Sequence, residues 1–358
     1  MGCRLKRIKW VGWAIAAFLL IVACQQPNPT NEGSSPSPTA PPLTLNGTGA
    51  SFPLFIYERI FAEYRQQVEP NLQINYQPTG SAAGIQQMMS QTVDFGASDI
   101  AMTDDEIAQV EPGVVLVPMT AGMVAIAYNL PGVETPVNLT RTALVDIFLG
   151  RITTWDDPAI AAANPDISLP SLPITLVHRS DGSGTTATLT AHLSAISTDW
   201  QTQVGADLNV EWPAGVGIKA NAGVSAQIQQ AEGAVGYVEY SYAQKLGLPI
   251  AALENQAGNF VTPTPERGAV ALAAVDMPAN LRAFVADPSG ADAYPIVTYS
   301  WILVYETYAD ANTGKALKQL LTWGLNEGQQ FSEDLGYIAL PPAVVEAAIA
   351  AVERITAG

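Results

Sequence analysis

Ile174-Thr175-Leu176-Val177-His178-Arg179-Ser180-Asp181-Gly182-Ser183-Gly184-Thr185-Thr186 begins as an apolar, β-prone run and passes into a loop of Gly, Ser and Thr. It opens onto Ala187–Ile196, where Leu189, Leu193 and Ile196 recur at helical spacing. A strand, a small-residue loop and a helix start aim several backbone N–H groups, and the positive end of a helix dipole, at one point. Gly182 and Gly184 allow close approach of a ligand, and Ser183 and Thr185 add hydroxyl donors. Arg179 supplies a fixed fork of N–H groups suited to a tetrahedral oxyanion. The pattern is an anion cradle, although one such loop alone serves chain geometry more often than a ligand. A P-loop is excluded, because no Lys precedes its Ser/Thr. A nucleophile elbow is excluded too, because Asp181 stands where Gly is needed.

The same device recurs upstream. Leu43-Thr44-Leu45 leads through Asn46-Gly47-Thr48-Gly49-Ala50-Ser51-Phe52 to Pro53, which suits a first helical position. Phe55, Ile56, Ile60, Phe61 and Tyr64 form the inward face of that helix. Leu72, Ile74 and Tyr76 alternate as a strand, Pro78-Thr79-Gly80-Ser81 is a loop, and Ala82–Ser90 is a helix. Val93–Ala97 is a short buried strand ending at Ser98-Asp99. Such repetition predicts an α/β architecture whose loops gather at the carboxyl ends of strands, where ligands bind. Downstream, strands are expected at Val114–Pro118, Met123–Tyr128, Leu208–Trp212, Ala234–Val238 and Tyr299–Tyr305. Helices are expected at Leu144–Leu149, Val224–Gln230, Tyr240–Leu246, Gly314–Asn326 and Pro342–Ile355.

The first 23 residues read as an export signal: Arg4, Lys6, Arg7 and Lys9 precede the apolar run Trp10–Ala23. Ile21-Val22-Ala23-Cys24 resembles the lipobox of bacterial lipoproteins, which implies cleavage before Cys24 and a lipid on its sulfur. Residues 25–42 hold six prolines among Ser, Thr, Asn and Gly and read as a solvated tether. Cys3 leaves with the signal, so the mature domain has no disulfide and its stability must come from core burial. Four of the 16 Lys and Arg lie in the signal, leaving 12 against 33 Asp and Glu, a net charge near −21. Such a surface argues against nucleic-acid binding and repels anions at long range, so an anion site must act through local donors.

Four segments, in order, resemble the PstS-type phosphate-binding proteins of bacterial phosphate ABC transporters. They are Gly47-Thr48-Gly49-Ala50-Ser51-Phe52-Pro53, Thr79-Gly80-Ser81-Ala82-Ala83-Gly84, Asp94-Phe95-Gly96-Ala97-Ser98-Asp99 and Arg179-Ser180-Asp181-Gly182-Ser183-Gly184-Thr185. Ile152–Asp157 and Gly233–Tyr240 support the likeness, which runs from Leu43 to the C-terminus. It implies a two-lobed periplasmic-binding-protein fold of type II, with ligand in the interdomain cleft and a two-segment hinge. Lobe one would be 43–119 plus 296–358, and lobe two 120–295, with crossings near Met119 and Pro295. The resemblance assigns phosphate binding to Ser51, Phe52, Ser81, Asp99, Arg179, Ser183, Gly184 and Thr185, with Asp99 as acceptor and Asp181 orienting Arg179. It further implies an extracytoplasmic receptor that passes inorganic phosphate to a membrane permease, anchored by lipid and expected to be a monomer without cofactor. Two positions depart from the family pattern: Ser51 stands where many members have Thr, and Ala82 where many have a second Ser.

Rival readings remain at this stage. A receptor for sulfate or molybdate would use similar donors, and an extracellular Ser hydrolase would need a base from His178 or His192. His192 lies on an apolar helix side and reads as a packed histidine, and no Cys/His cluster has metal-ligand spacing. Asp104, Asp105 and Glu106 read as a charged helix start, and Trp155-Asp156-Asp157 as a turn before a helix. Asp99 has a structural reading too, as a cap for the helix beginning near Thr103.

Overall fold

The glycine-rich loops each follow a strand of one sheet. The computed structural model describes residues 42–357, so the signal, Cys24 and the tether up to Pro41 lie outside the described residues. The sheet contains β1 (Leu43–Gly49), β2 (Leu72–Gln77), β3 (Phe95–Ser98), β4 (Val114–Tyr128), β5 (Thr175–Arg179), β6 (Val216–Ile218), β7 (Ala234–Glu239) and β8 (Val297–Tyr305). Their order is β2-β1-β3-β8-β4-β7-β5-β6. Both outer parts are parallel: β1 pairs with β2 and β3, and β5 with β6 and β7. The centre is antiparallel, with β8 between β3 and β4, and β4 against β7.

β4 joins the two parts. Its residues Val114–Met123 pair with β8, and Val124–Tyr128 pair with β7. All 15 of its residues are buried, which fits a run apolar enough to be covered on both faces. Two strands were expected here, Val114–Pro118 and Met123–Tyr128, with residues 119–122 between them. The chain instead continues, because Pro118, which has no N–H for a central ladder, falls at the register shift beside Ser300 and Trp301. Gly122 admits the ring of Phe52: a Cβ there would lie 2.7 Å from that ring.

The helices that matter for the site are α1 (Leu54–Gln67), α2 (Ser81–Met89), α3 (Gly184–Ile196), α4 (Ala220–Gln230) and α5 (Tyr240–Leu246). α1 buries Ile56, Tyr57, Ile60, Phe61 and Tyr64. Phe55, expected inward, is half-buried and packs on Tyr242 with ring centroids 4.6 Å apart. Pro53 sits just before the helix rather than in its first turn. In α3, Leu189 and Leu193 are fully buried, contributing about 1.5–3 kcal/mol each by removal from water.

Leu208–Trp212 forms no strand. Its alternating apolar residues serve side-chain packing instead: Trp212 stacks on His178 at 4.9 Å and on Tyr237 at 5.6 Å. The edge strand lies further on, at β6. Asp104, Asp105 and Glu106 open the helix Asp104–Ala108, where Thr103 and Glu106 form a capping box. Asp99 is therefore not needed as that helix's cap. Asp157 caps Pro158–Ala161, and Trp155 is buried with its indole N–H donating to the Gly233 carbonyl at 2.9 Å.

Candidate functional site

Three strand ends bring their loops to one place. β1 runs into Ala50-Ser51-Phe52, the loop after β2 presents Ser81 at the start of α2, and β3 ends beside Asp99. From the other part of the sheet, β5 ends on Arg179 and its loop delivers Ser183, Gly184 and Thr185 to the start of α3. All eight predicted binding residues are buried, including Asp99 at 1% exposure and Arg179 at 3%.

The two sides touch through their polar atoms. Gly184 N–H donates to Ser81 Oγ at 3.1 Å, and Ala82 N–H donates to the Gly182 carbonyl at 3.1 Å. Gly184 is needed for this approach, since a Cβ there would lie 2.5 Å from Asp99 Cβ and 2.6 Å from Ser81 Oγ. Asn221 reaches across to Ser51 Oγ with its Nδ2 at 3.1 Å and its backbone N–H at 3.3 Å. Tyr242 donates its hydroxyl to the Ser51 carbonyl at 2.7 Å, and Tyr337 donates to the Phe52 carbonyl at 2.8 Å. These bonds fix the β1 loop, while the N–H groups of Ser51 and Phe52 donate to no other group among the described residues.

Arg179 is held as a fork. Its Nε donates to Asp181 Oδ1 at 2.7 Å, its NH2 group donates to Asp181 Oδ2, and NH1 points to Thr185 Oγ1 at 3.4 Å. Its backbone N–H donates to Tyr237 Oη at 3.0 Å. Burial alone would raise the Asp181 pKa, but the Arg179 fork and the Ala220 N–H, 3.1 Å away, hold it below the ordinary carboxylate value. The ion pair orients the guanidinium and leaves NH1 turned toward the loop of Thr185.

Asp99 is held without a cation in hydrogen-bond contact. Oδ1 accepts from Ser300 Oγ at 2.7 Å, and Oδ2 accepts from Ser81 Oγ at 3.3 Å. Burial pushes its pKa up to about 7, against the lowering effects of Ser300, Arg179 and Ser81. A carboxyl poised near neutrality beside a permanent cation suits a ligand that carries both negative charge and a proton.

A family model described as the PBP superfamily domain matches residues 33–327. The phosphate-binding protein PstS of Xylella fastidiosa (strain 9a5c) is 37% identical, over 95% of this chain and 97% of that protein. The phosphate-binding protein PstS of Pasteurella multocida (strain Pm70) is also 37% identical, over 85% of this chain and 88% of that one. The chain belongs to the PstS family. Its fold is similar to that of a high-affinity periplasmic phosphate-binding protein solved with phosphate bound, PfluDING, at a TM-score of 0.69 and 20% identity, covering 86% of this chain and 93% of that one. The two-lobed α/β fold expected from the motifs is thus the fold of this PstS family member.

Three details differ from the expected donor set. The Ser81 hydroxyl donates to Asp99 Oδ2 and accepts from the N–H groups of Asp99 and Gly184, so its backbone N–H is the donor it has left. The Ser183 N–H is occupied by the Leu208 carbonyl at 2.9 Å, because the loop 205–212 packs against α3. The Ser183 hydroxyl accepts from Thr186 N–H at 3.2 Å as the cap of α3, leaving its proton as its one free donor. Gly184 N–H goes to Ser81 Oγ, so the available amide at this helix start falls to Thr185.

Three contributors escaped the sequence reading. Asn221 lies in Asn221-Ala222-Gly223, which reads in sequence as a further small-residue loop before a helix and forms the first turn of α4, so the recurring device itself was the available signal. Ser300 is, with Thr298, one of two small hydroxyl residues in the otherwise apolar and aromatic run of β8, and buried polar groups in central strands require a partner. Glu239 is fully buried at the end of β7 and accepts from Ser241 N–H at 3.0 Å. His192 packs as expected, with Nδ1 2.7 Å from the Ala286 carbonyl and its pKa lowered to about 4 by burial. Neither histidine contacts the Ser183 hydroxyl. Among the described residues no cluster of His, Cys, Asp or Glu could hold a metal, and no helix is long and apolar enough to cross a membrane.

Proposed function

We propose that this PstS family member captures inorganic phosphate outside the cytoplasm and delivers it to the permease of an ABC transporter. The single observation that carries the reading is the convergence of Ser51, Phe52 and Ser81 with Arg179 and Thr185 from opposite parts of the sheet, closed around buried Asp99. Arg179 and the hydroxyl and amide donors would take the unprotonated oxygens. Asp99 would take the P–O–H, giving one shared proton between ligand and carboxyl. Sulfate brings no proton, so it would face an unpaired carboxylate, which selects against it and against molybdate in the same way. No bond is made or broken.

Delivery needs opening. The proposed hinge segments are those near Met119 and Pro295; β4 changes partner four residues after Met119, between Met123 and Val124, and Val124 N–H donates to the Ile296 carbonyl at 2.9 Å. Lobe one would then be 43–119 plus 296–358, and lobe two 120–295, with a lipid on Cys24 holding the receptor near its permease.

Calorimetric titration of the phosphate-stripped protein with phosphate, arsenate, sulfate and molybdate tests the reading. Tight phosphate binding in a large excess of sulfate is expected, and preference for sulfate or molybdate would overturn it. Turnover of a chromogenic phosphate ester, abolished in Ser183→Ala, would instead revive a hydrolase.

A further inference from the structure

We infer that Asn221 is the residue that sets the polarity of the anion site, by committing the hydroxyls of Ser51 and Thr185 to donate. The inference rests on the receptor reading above and adds to it a positioning residue outside the predicted donor set.

Asn221 is fully buried at the first turn of α4. Its Oδ1 accepts from Glu239 N–H at 3.0 Å, which fixes the flip of the amide and turns Nδ2 toward the cleft. Nδ2 has two protons, and both are used: one toward Ser51 Oγ at 3.1 Å, the other toward Thr185 Oγ1 at 3.2 Å. The Asn221 backbone N–H adds a second bond to Ser51 Oγ at 3.3 Å, and Arg179 NH1 a second to Thr185 Oγ1 at 3.4 Å.

A hydroxyl has two acceptor sites and one proton. Ser51 and Thr185 therefore have their acceptor sites filled by N–H groups, and each has only its proton left to offer. A free serine or threonine hydroxyl is indifferent to an anion or a cation, whereas these two are donors only. Asn221 also spans the cleft, since Ser51 follows β1 and Thr185 follows β5. The preceding Ala220 adopts a left-handed backbone with φ 59°, uncommon for a residue with a Cβ. That conformation turns the Ala220 N–H onto Asp181 Oδ1, so one short segment steadies Arg179 through Asp181 and Ser51 and Thr185 through Asn221.

A double-mutant cycle tests this by calorimetric phosphate titration of four phosphate-stripped proteins: wild type, Asn221→Ala, Ser51→Ala and the double variant. If Asn221 acts through the hydroxyls, Asn221→Ala weakens phosphate binding about tenfold in the wild type but only about threefold where Ser51 has lost its hydroxyl. An equal loss in both backgrounds marks a merely structural residue and overturns the inference, as does no loss in the first. Should Asn221→Ala lose its cooperative melt, Asn221→Leu replaces it in the same cycle. That variant nearly keeps the volume and removes Nδ2 without adding a charge, and the same non-additivity is expected and the same equality overturns it. Absence of phosphate binding by the wild type is a different result: it removes the receptor reading, and the inference with it.

Discussion

Arg179 and Asp99 are charged groups buried in one cleft, yet the chain supports them in opposite ways. Arg179 meets its counter-charge two residues along, in Asp181, so its charge is paired locally whether or not a ligand is present. Asp99 meets only hydroxyls, from Ser81 and from Ser300 some two hundred positions away, and burial leaves its charge conditional on pH. Under the proposed function the difference separates two tasks: Arg179 would supply attraction for any oxyanion, and Asp99 would read whether that oxyanion has a proton.

The largest expected effect breaks the first side of this comparison. Arg179→Lys keeps the charge but loses the fork that Asp181 holds, and strands Asp181 with one point contact. Phosphate binding should weaken by roughly 1.5–3 kcal/mol, the scale of a charged hydrogen bond. Sulfate, where measurable, should weaken alongside it, because the arginine does not read the proton. An unchanged phosphate dissociation constant in calorimetry would remove Arg179 from the site.

The next effect belongs to Asp99 and concerns ratios. Asp99→Asn can donate to an unprotonated oxygen, so the preference for phosphate over sulfate should narrow by about tenfold or more. Wild-type protein should show the same trend as pH falls from about 8 to about 5. The carboxyl, with its pKa raised to about 7, then takes up its own proton and gains a donor for sulfate. Competition titrations at several pH values check both statements, and a ratio that ignores pH and substitution alike would show that Asp99 is not the reader.

The two residues also differ in how legible they were. Arg179, Asp181, Ser183, Gly184 and Thr185 fall within seven consecutive positions, so strand, loop and helix chemistry could be read from one line. Asp99 was reached through family likeness, and its hydroxyl partner Ser300 lies on a strand that pairs with β3 only after the chain has folded around 200 residues. Asn221 was hidden for the same reason, since its partners are 170 and 36 positions away. The same limit acted on the fold. Local periodicity found Tyr240–Leu246 residue for residue, but could not join Val114–Pro118 to Met123–Tyr128, because the continuity of β4 depends on pairing with β8 and β7.

A smaller effect sharpens the picture of two sides closing. Contacts such as Gly184 N–H to Ser81 Oγ and Ala82 N–H to the Gly182 carbonyl join segments from opposite parts of the sheet. If phosphate bridges the same segments, its removal should shift the population toward an open form. Small-angle scattering is expected to give a larger radius of gyration without phosphate. Superimposable curves, with binding verified in the same samples, would count against the hinge.

The smallest effect tests Asp99 in the absence of any ligand and brings in Glu239. Both are fully buried carboxyls whose pKa values burial pushes up, to about 7 and about 8, with serine hydroxyls and amides pulling the other way. The Asp99 charge raises the Glu239 pKa a little further by repulsion. The folded protein thus holds these protons more tightly than the unfolded chain does. The stability that comes with them is complete below about pH 4, the ordinary carboxylate range, and is lost as pH rises through about 7 to 8. Asp181 acts in the reverse direction, since its pKa is lowered, and its contribution is lost only as pH falls below the ordinary range. The two windows do not overlap. Melting temperatures of phosphate-stripped protein should therefore fall between about pH 5 and pH 8. In the Asp99→Asn/Glu239→Gln double variant that slope should flatten, because Gln keeps an acceptor for Ser241 N–H and neither amide titrates. The general repulsion of a strongly acidic surface is common to both proteins and cancels in the comparison. Parallel melting curves across this range would mean that the slope belongs to the surface, and that Asp99 and Glu239 are ionised in the folded protein like ordinary carboxylates.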